Sequence, residues 1–117
     1  MSFRDRLDAF CATLPGAQWA DPADGQLASW KVGGKMFACT GTTTPGVSVK
    51  TADAATAQML IDAGVAEKAP YFHASWVRLP ESVPEDELRH RLTSSYDLIL
   101  RGLPKKTQAE LSKREAV

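Results

Sequence analysis

Gly33-Gly34 lies between two runs of strand-forming residues, Leu27 to Val32 and Lys35 to Thr40. Both glycines can adopt the positive φ values of a tight two-residue turn without cost, so this pair is a strong signal of an antiparallel hairpin. Gln18 to Asp21 reads as a brief strand before it, followed by the turn Pro22-Ala23-Asp24-Gly25. Val47 to Lys50 is a fourth strand, after the loop Thr42-Thr43-Thr44-Pro45-Gly46. Short strands joined by turn chemistry imply a meander.

Helical periodicity brackets it. Phe3, Leu7, Phe10, Cys11 and Leu14 fall on one face of a helix over Ser2 to Leu14, with Ser2 as N-cap and Pro15-Gly16 as stop. Asp53 to Ala63 reads as a second helix ending at Gly64. Val65 to Ala69 and His73 to Leu79 read as two more strands, with Pro70-Tyr71 between them. Leu88, Leu92, Tyr96, Ile99 and Leu103 then define a long amphipathic helix that opens at Ser82-Val83-Pro84-Glu85, a capping-box pattern. Residues 105–117 read as a short helix or a frayed tail. The order helix, four strands, helix, two strands, helix predicts an α+β fold: an antiparallel sheet with helices packed on one face.

Composition limits size and class. The 117 residues suit one domain spanning 1–117, and 44% hydrophobic with 24% charged residues is ordinary for a chain with a real core. Fourteen basic against fourteen acidic residues argue against a strongly basic nucleic-acid binder. The charged start, Met1-Ser2-Phe3-Arg4-Asp5-Arg6, is unlike a signal peptide, and no apolar run has membrane-span length. Cytoplasmic placement is the expectation, with Cys11 and Cys39 as buried thiols.

Chemistry is sparse. His73 and His90 lack partners at metal-ligand spacing, so no metal or other cofactor is expected. Cys39 and His73 sit on predicted strands without a nucleophile motif, and Glu85-Asp86-Glu87 complements a helix dipole. Gly33-Gly34-Lys35 falls short of a phosphate loop because Met36 replaces Ser or Thr. A non-enzymatic domain is the expectation.

Charge distribution says more. Residues 31–50 carry Lys31, Lys35 and Lys50 and no acid, and residues 101–117 carry Arg101, Lys105, Lys106, Lys113 and Arg114 against Glu110 and Glu115. Trp30, Phe37, Tyr71 and Trp76 lie near these strands as candidate stacking groups. A basic sheet face with aromatics suits an anionic ligand, and a few phosphate contacts give weak, salt-sensitive binding.

Pro15-Gly16, Gly34-Lys35-Met36-Phe37, Lys50, Pro70-Tyr71, Trp76-Val77, Ser95-Tyr96 and Leu103-Pro104-Lys105 follow one another along the chain. This succession, from about Leu7 to Lys106, resembles the YjbR/MmcQ-like family of small bacterial proteins. The resemblance implies a fold similar to the bacterial frataxin homologue CyaY, and a DNA-binding role proposed from structural analogy. Carried over, the DNA candidates are Lys31, Lys35, Lys50, Arg78 and Lys105. The acidic ridge of frataxin-type iron sites is missing: the first helix has only Asp5 and Asp8, interleaved with Arg4 and Arg6. The leading expectation is a non-catalytic domain that binds DNA through a basic open sheet face. The alternative is a protein-interaction or self-association module using the exposed sheet. A monomer is the favoured oligomeric state, and no membrane is involved.

Overall fold

A computed structural model of the chain describes residues 2–20, 28–40, 45–69 and 72–115. The expected turn at Pro22 to Gly25, the loop residues Thr42 to Thr44, and Pro70-Tyr71 lie outside them.

Helix α1 (Phe3–Cys11) begins with a complete capping box: Ser2 Oγ accepts from the Asp5 amide, and an Asp5 carboxylate oxygen accepts from the Ser2 amide. Strands β1 (Ala17–Ala20), β2 (Ala28–Val32), β3 (Lys35–Thr40) and β4 (Val47–Lys50) follow. Helix α2 (Ala54–Asp62) is capped by Asp53, whose side chain accepts from the Thr56 amide. Strands β5 (Glu67–Lys68) and β6 (Trp76–Leu79) lead to the long helix α3 (Glu85–Arg101) and then α4 (Lys105–Glu115). The sheet order is β1-β2-β3-β4-β6-β5, with antiparallel neighbours throughout.

Two expectations need correction. Helix α3 starts on Pro84 with no side-chain cap, so Ser82 forms no capping box. Ser82 sits two residues too early, and Glu85, Asp86 and Glu87 in the first turn meet the helix dipole instead. Strands β5 and β6 are also shorter than their sequence runs: the Val65 and Ala66 amides donate to the Leu60 carbonyl at the end of α2, and residues 72–75 form a turn rather than ladder.

Leu7 and Cys11 from α1, Ala57 and Leu60 from α2, and Leu88 and Leu92 from α3 join Val32, Phe37, Val47, Val49, Val77 and Leu79 in one core. All three helices therefore pack on one side of the sheet. A bulge at Trp30/Lys31 shapes this side: Trp30 pairs with Ala38 but Lys31 pairs with Met36, leaving Phe37 extra. Two residues opposing one allow Phe37 and Ala38 both to be buried, whereas Met36 is only half-buried. Phe37 then meets Tyr96 of α3 edge to face, ring centroids 5.5 Å apart. Buried Ser95 closes the gap where β3 and β4 diverge: its hydroxyl donates to the Phe37 carbonyl (2.7 Å) and accepts from the Lys50 amide (2.9 Å).

The Gly33-Gly34 turn has φ values of 58° and 82°, as the hairpin requires. Glycine at 33 has a second reason. A Cβ there would come within 2.5 Å of Leu103, which seals the core after α3 ends.

Candidate functional site: the helix-free face of the sheet

Residues directly opposite on antiparallel strands share a face. Val47, Val49, Val77 and Leu79 point to the helices, so the alternate positions Ser48, Lys50, Trp76 and Arg78 belong to the other side. Across the sheet, Ser29, Cys39, Ser48, Arg78 and Glu67 form one continuous row of opposed residues. Lys31 lies two residues past Ser29 and Lys50 two past Ser48, and β2 and β4 run the same way because each is antiparallel to β3. Lys31 and Lys50 are thus on one face, two strands or roughly 10 Å apart.

The five sequence candidates divide in two. Lys31, Lys50 and Arg78 share the helix-free face. Lys35 does not: it is opposite Val32, whose side chain is fully buried against the helices, so Lys35 projects from the helix side at the hairpin end. Lys105 opens α4, exposed, close after the Leu103 that packs on Gly33. Nor are all three cations of the helix-free face unengaged. Arg78 forms an ion pair with Glu67 and donates to the Pro45 carbonyl (3.0 Å), with its Nε buried and unpaired among the described residues. Lys50 Nζ donates to Ser75 Oγ (3.0 Å). Lys31 forms no ion pair with the described residues. Glu67 is the only carboxylate in the six strands.

The expected aromatic platform is mostly interior. Phe37 is fully buried, and Trp30 is nearly so, with its indole Nε1–H donating to Asp8 (2.9 Å). Tyr71 lies outside the described residues. Trp76 is half-buried and stacks on Phe72, centroids 4.8 Å apart at 25°.

Neither thiol is poised for nucleophilic work. Burial, and then the nearby Asp8 charge, pushes Cys11 up to about 12, and burial alone takes Cys39 to about 11. Asp8 is already engaged by Arg4 and Trp30. Among the described residues no three His, Cys, Asp or Glu side chains gather to hold a metal ion. No helix among them is long and apolar enough to cross a membrane.

Sequence reasoning missed the turn into β6. The Ser75 amide donates to His73 Nδ1 (3.1 Å), and Ser75 Oγ is 2.9 Å from the same nitrogen. A backbone amide can only donate, so Nδ1 carries the lone pair and the imidazole proton is on Nε2. Thr51 also binds here, its amide and hydroxyl both donating to the Ser75 carbonyl (2.7 and 2.6 Å). The network draws on residues 50–51 and 73–75, which no local spacing joins.

These features define a small α+β domain with an antiparallel sheet whose one side is covered by helices and whose other side carries cations. The chain belongs to the YjbR family, whose model matches residues 12–98. It is also similar to a crystal structure of the Deinococcus radiodurans protein DR2400, which carries the family domain DUF419. That match has a TM-score of 0.81 and 27% identity, covering 96% of this chain and 89% of that one. Among curated proteins no sequence match was found.

Proposed function

We propose that this YjbR domain is a non-catalytic binding module whose helix-free sheet face takes an anionic partner, with DNA as the polyanion to try. One observation carries the reading: the strand register sets Lys31, Lys50 and Arg78, each partly exposed, on the single helix-free face, whose only strand carboxylate is already paired. The raised thiols of Cys11 and Cys39 support a binding role over nucleophilic catalysis at those two residues.

The contacts are few, so affinity is modest and falls with salt. Two to three neutralised phosphates imply a loss of about 10- to 40-fold between roughly 50 and 200 mM salt. Anisotropy titrations with labelled duplex and single-stranded DNA measure this. The double variant Lys31→Glu/Lys50→Glu should abolish binding with its melting temperature nearly unchanged, whereas Lys35→Glu should bind as wild type. Loss in Lys35→Glu equal to that in the double variant overturns the face assignment. No binding at the lower salt overturns the DNA reading and favours a protein-binding or self-association role.

A further inference from the structure

At the β5–β6 edge, between α2 and the turn into β6, lies a cavity of about 450 Å³. Gln58 and Ile61 of α2, Lys68 of β5, and Phe72, His73 and Trp76 line it. Among the described residues the remaining lining is alanine, and none of them contributes a carboxylate. A concave, mostly apolar site of this size with a few polar groups is the usual form of a small-molecule pocket.

Two of its polar groups, on Lys68 and His73, are donors. Lys68 is exposed and makes no ion pair with the described residues. His73 has Nδ1 engaged by Ser75, which leaves Nε2–H as the donor free for a ligand. Lys50 Nζ donates to that same Ser75 hydroxyl and adds positive charge behind the imidazole. Gln58 spends its amide NH₂ on Asp62 (2.8 Å). The stacked rings of Phe72 and Trp76 supply a flat apolar wall.

We propose that this cavity binds a small planar aromatic carboxylate, its ring against the Phe72–Trp76 wall and its anionic group between Lys68 Nζ and His73 Nε2–H. The aromatic wall selects a flat ring, and two donors with no opposing carboxylate select the anion. The inference is separable from the DNA reading: Trp76 and Lys50 lie on the proposed DNA face, but the two donors to the anion, Lys68 and His73, do not.

The full chain, labelled with 15N at its tryptophans, is titrated with 2-naphthoate, the neutral 2-naphthamide and non-planar cyclohexanecarboxylate. Loss of one indole signal in Trp76→Phe identifies that resonance, and Trp19 and Trp30 serve as internal references. The expected result is a saturable shift of the Trp76 indole alone, with naphthoate binding at least about fivefold more tightly than either comparison compound. Lys68→Gln, at an exposed site, should keep the fold and weaken naphthoate about fivefold, the scale of one partly solvated charge-assisted hydrogen bond. The proposal is overturned if the Trp76 signal stays fixed up to the solubility of the probe, or if all three indoles move alike. Equal affinity for naphthoate and naphthamide, or for naphthoate in wild type and Lys68→Gln, overturns it as well.

Discussion

On the side of the sheet that meets the helices, Val32, Phe37, Val47, Val49, Val77 and Leu79 are fully buried and contact α1, α2 and α3 through Leu7, Leu60, Leu88 and Leu92. On the opposite side the same strands present Ser29, Cys39 and Ser48 in the middle, with Lys31, Lys50, Trp76 and Arg78 around them. The inner side is held by apolar area, a non-directional term that grows with every methylene removed from water. The outer side is held by individual polar contacts such as Lys50 to Ser75 and Arg78 to Glu67, each worth little alone. Ser29, Cys39 and Ser48 are themselves buried, so it is at the partly exposed Lys31, Lys50 and Arg78 that the strands can vary outwardly with small cost to the fold and a binding surface can be built.

The largest expected effect tests that asymmetry directly. Leu92 is fully buried in α3 against the sheet, so Leu92→Ala should cost about 2–5 kcal/mol through lost transfer energy and the cavity left behind. Lys31→Ala on the outer side should stay within about 0.5 kcal/mol. Urea unfolding of both variants measures the difference. A Lys31→Ala cost comparable to that of Leu92→Ala breaks the comparison.

The same asymmetry governs what was legible in the sequence. Glycines with positive φ at 33 and 34, and leucines recurring at helical spacing in α3, are local signals, and both elements lie where the letters put them. The separation of Lys31 from Lys35 was implicit too. A two-residue turn pairs position 32 with 35, so positions 31 and 35 cannot share a face. The bulge was not legible, because Met36-Phe37-Ala38 is apolar throughout and no alternation marks which residue is extra. The β5–β6 cavity was less so: Gln58 and Ile61, Lys68, and Phe72 to Trp76 converge only through the α2 crossover. Local chemistry is written in the chain, whereas convergence of distant segments depends on packing that single letters do not encode.

A smaller effect sharpens the comparison through the two thiols, Cys11 beneath the helices and Cys39 in the outer row. Both are held above the ordinary 9.0, Cys11 at about 12 and Cys39 at about 11. A folded-state value above the unfolded one means the unfolded chain releases its protons first as pH rises. The contribution is therefore fully present below pH 9 and is lost as pH climbs toward the folded values. Stability should be flat with respect to these groups up to pH 9 and then fall with a thiol slope near 2.7 kcal/mol per pH unit, roughly 1.4 for each thiol. Cys11→Ser should remove about half of that slope between pH 9 and 10.5, and Cys39→Ser the same. If Cys39→Ser leaves the slope unchanged while Cys11→Ser removes the thiol slope entirely, the outer row is open to solvent at Cys39 and the two faces differ more than burial alone indicates.

The smallest effect concerns Glu67. Its pair with Arg78 is partly solvated, with side-chain exposures of 53% and 22%, and Arg78 keeps the Pro45 carbonyl when the carboxylate is neutralised. Glu67→Gln should therefore cost less than about 1 kcal/mol, the usual worth of an exposed pair. It also removes the only carboxylate of the six strands and frees a guanidinium on the face that carries Lys31 and Lys50. Salt-sensitive DNA binding should then tighten, with a steeper salt dependence by up to about one further phosphate contact. Anisotropy and urea unfolding on this one variant separate the two roles of the pair. A stability loss of about 3 kcal/mol or more would mean that Arg78 behaves as a buried charge deprived of its partner. Folding would then depend on the outer side no less than on the inner one, and the sheet would lose the asymmetry from which its binding role is argued.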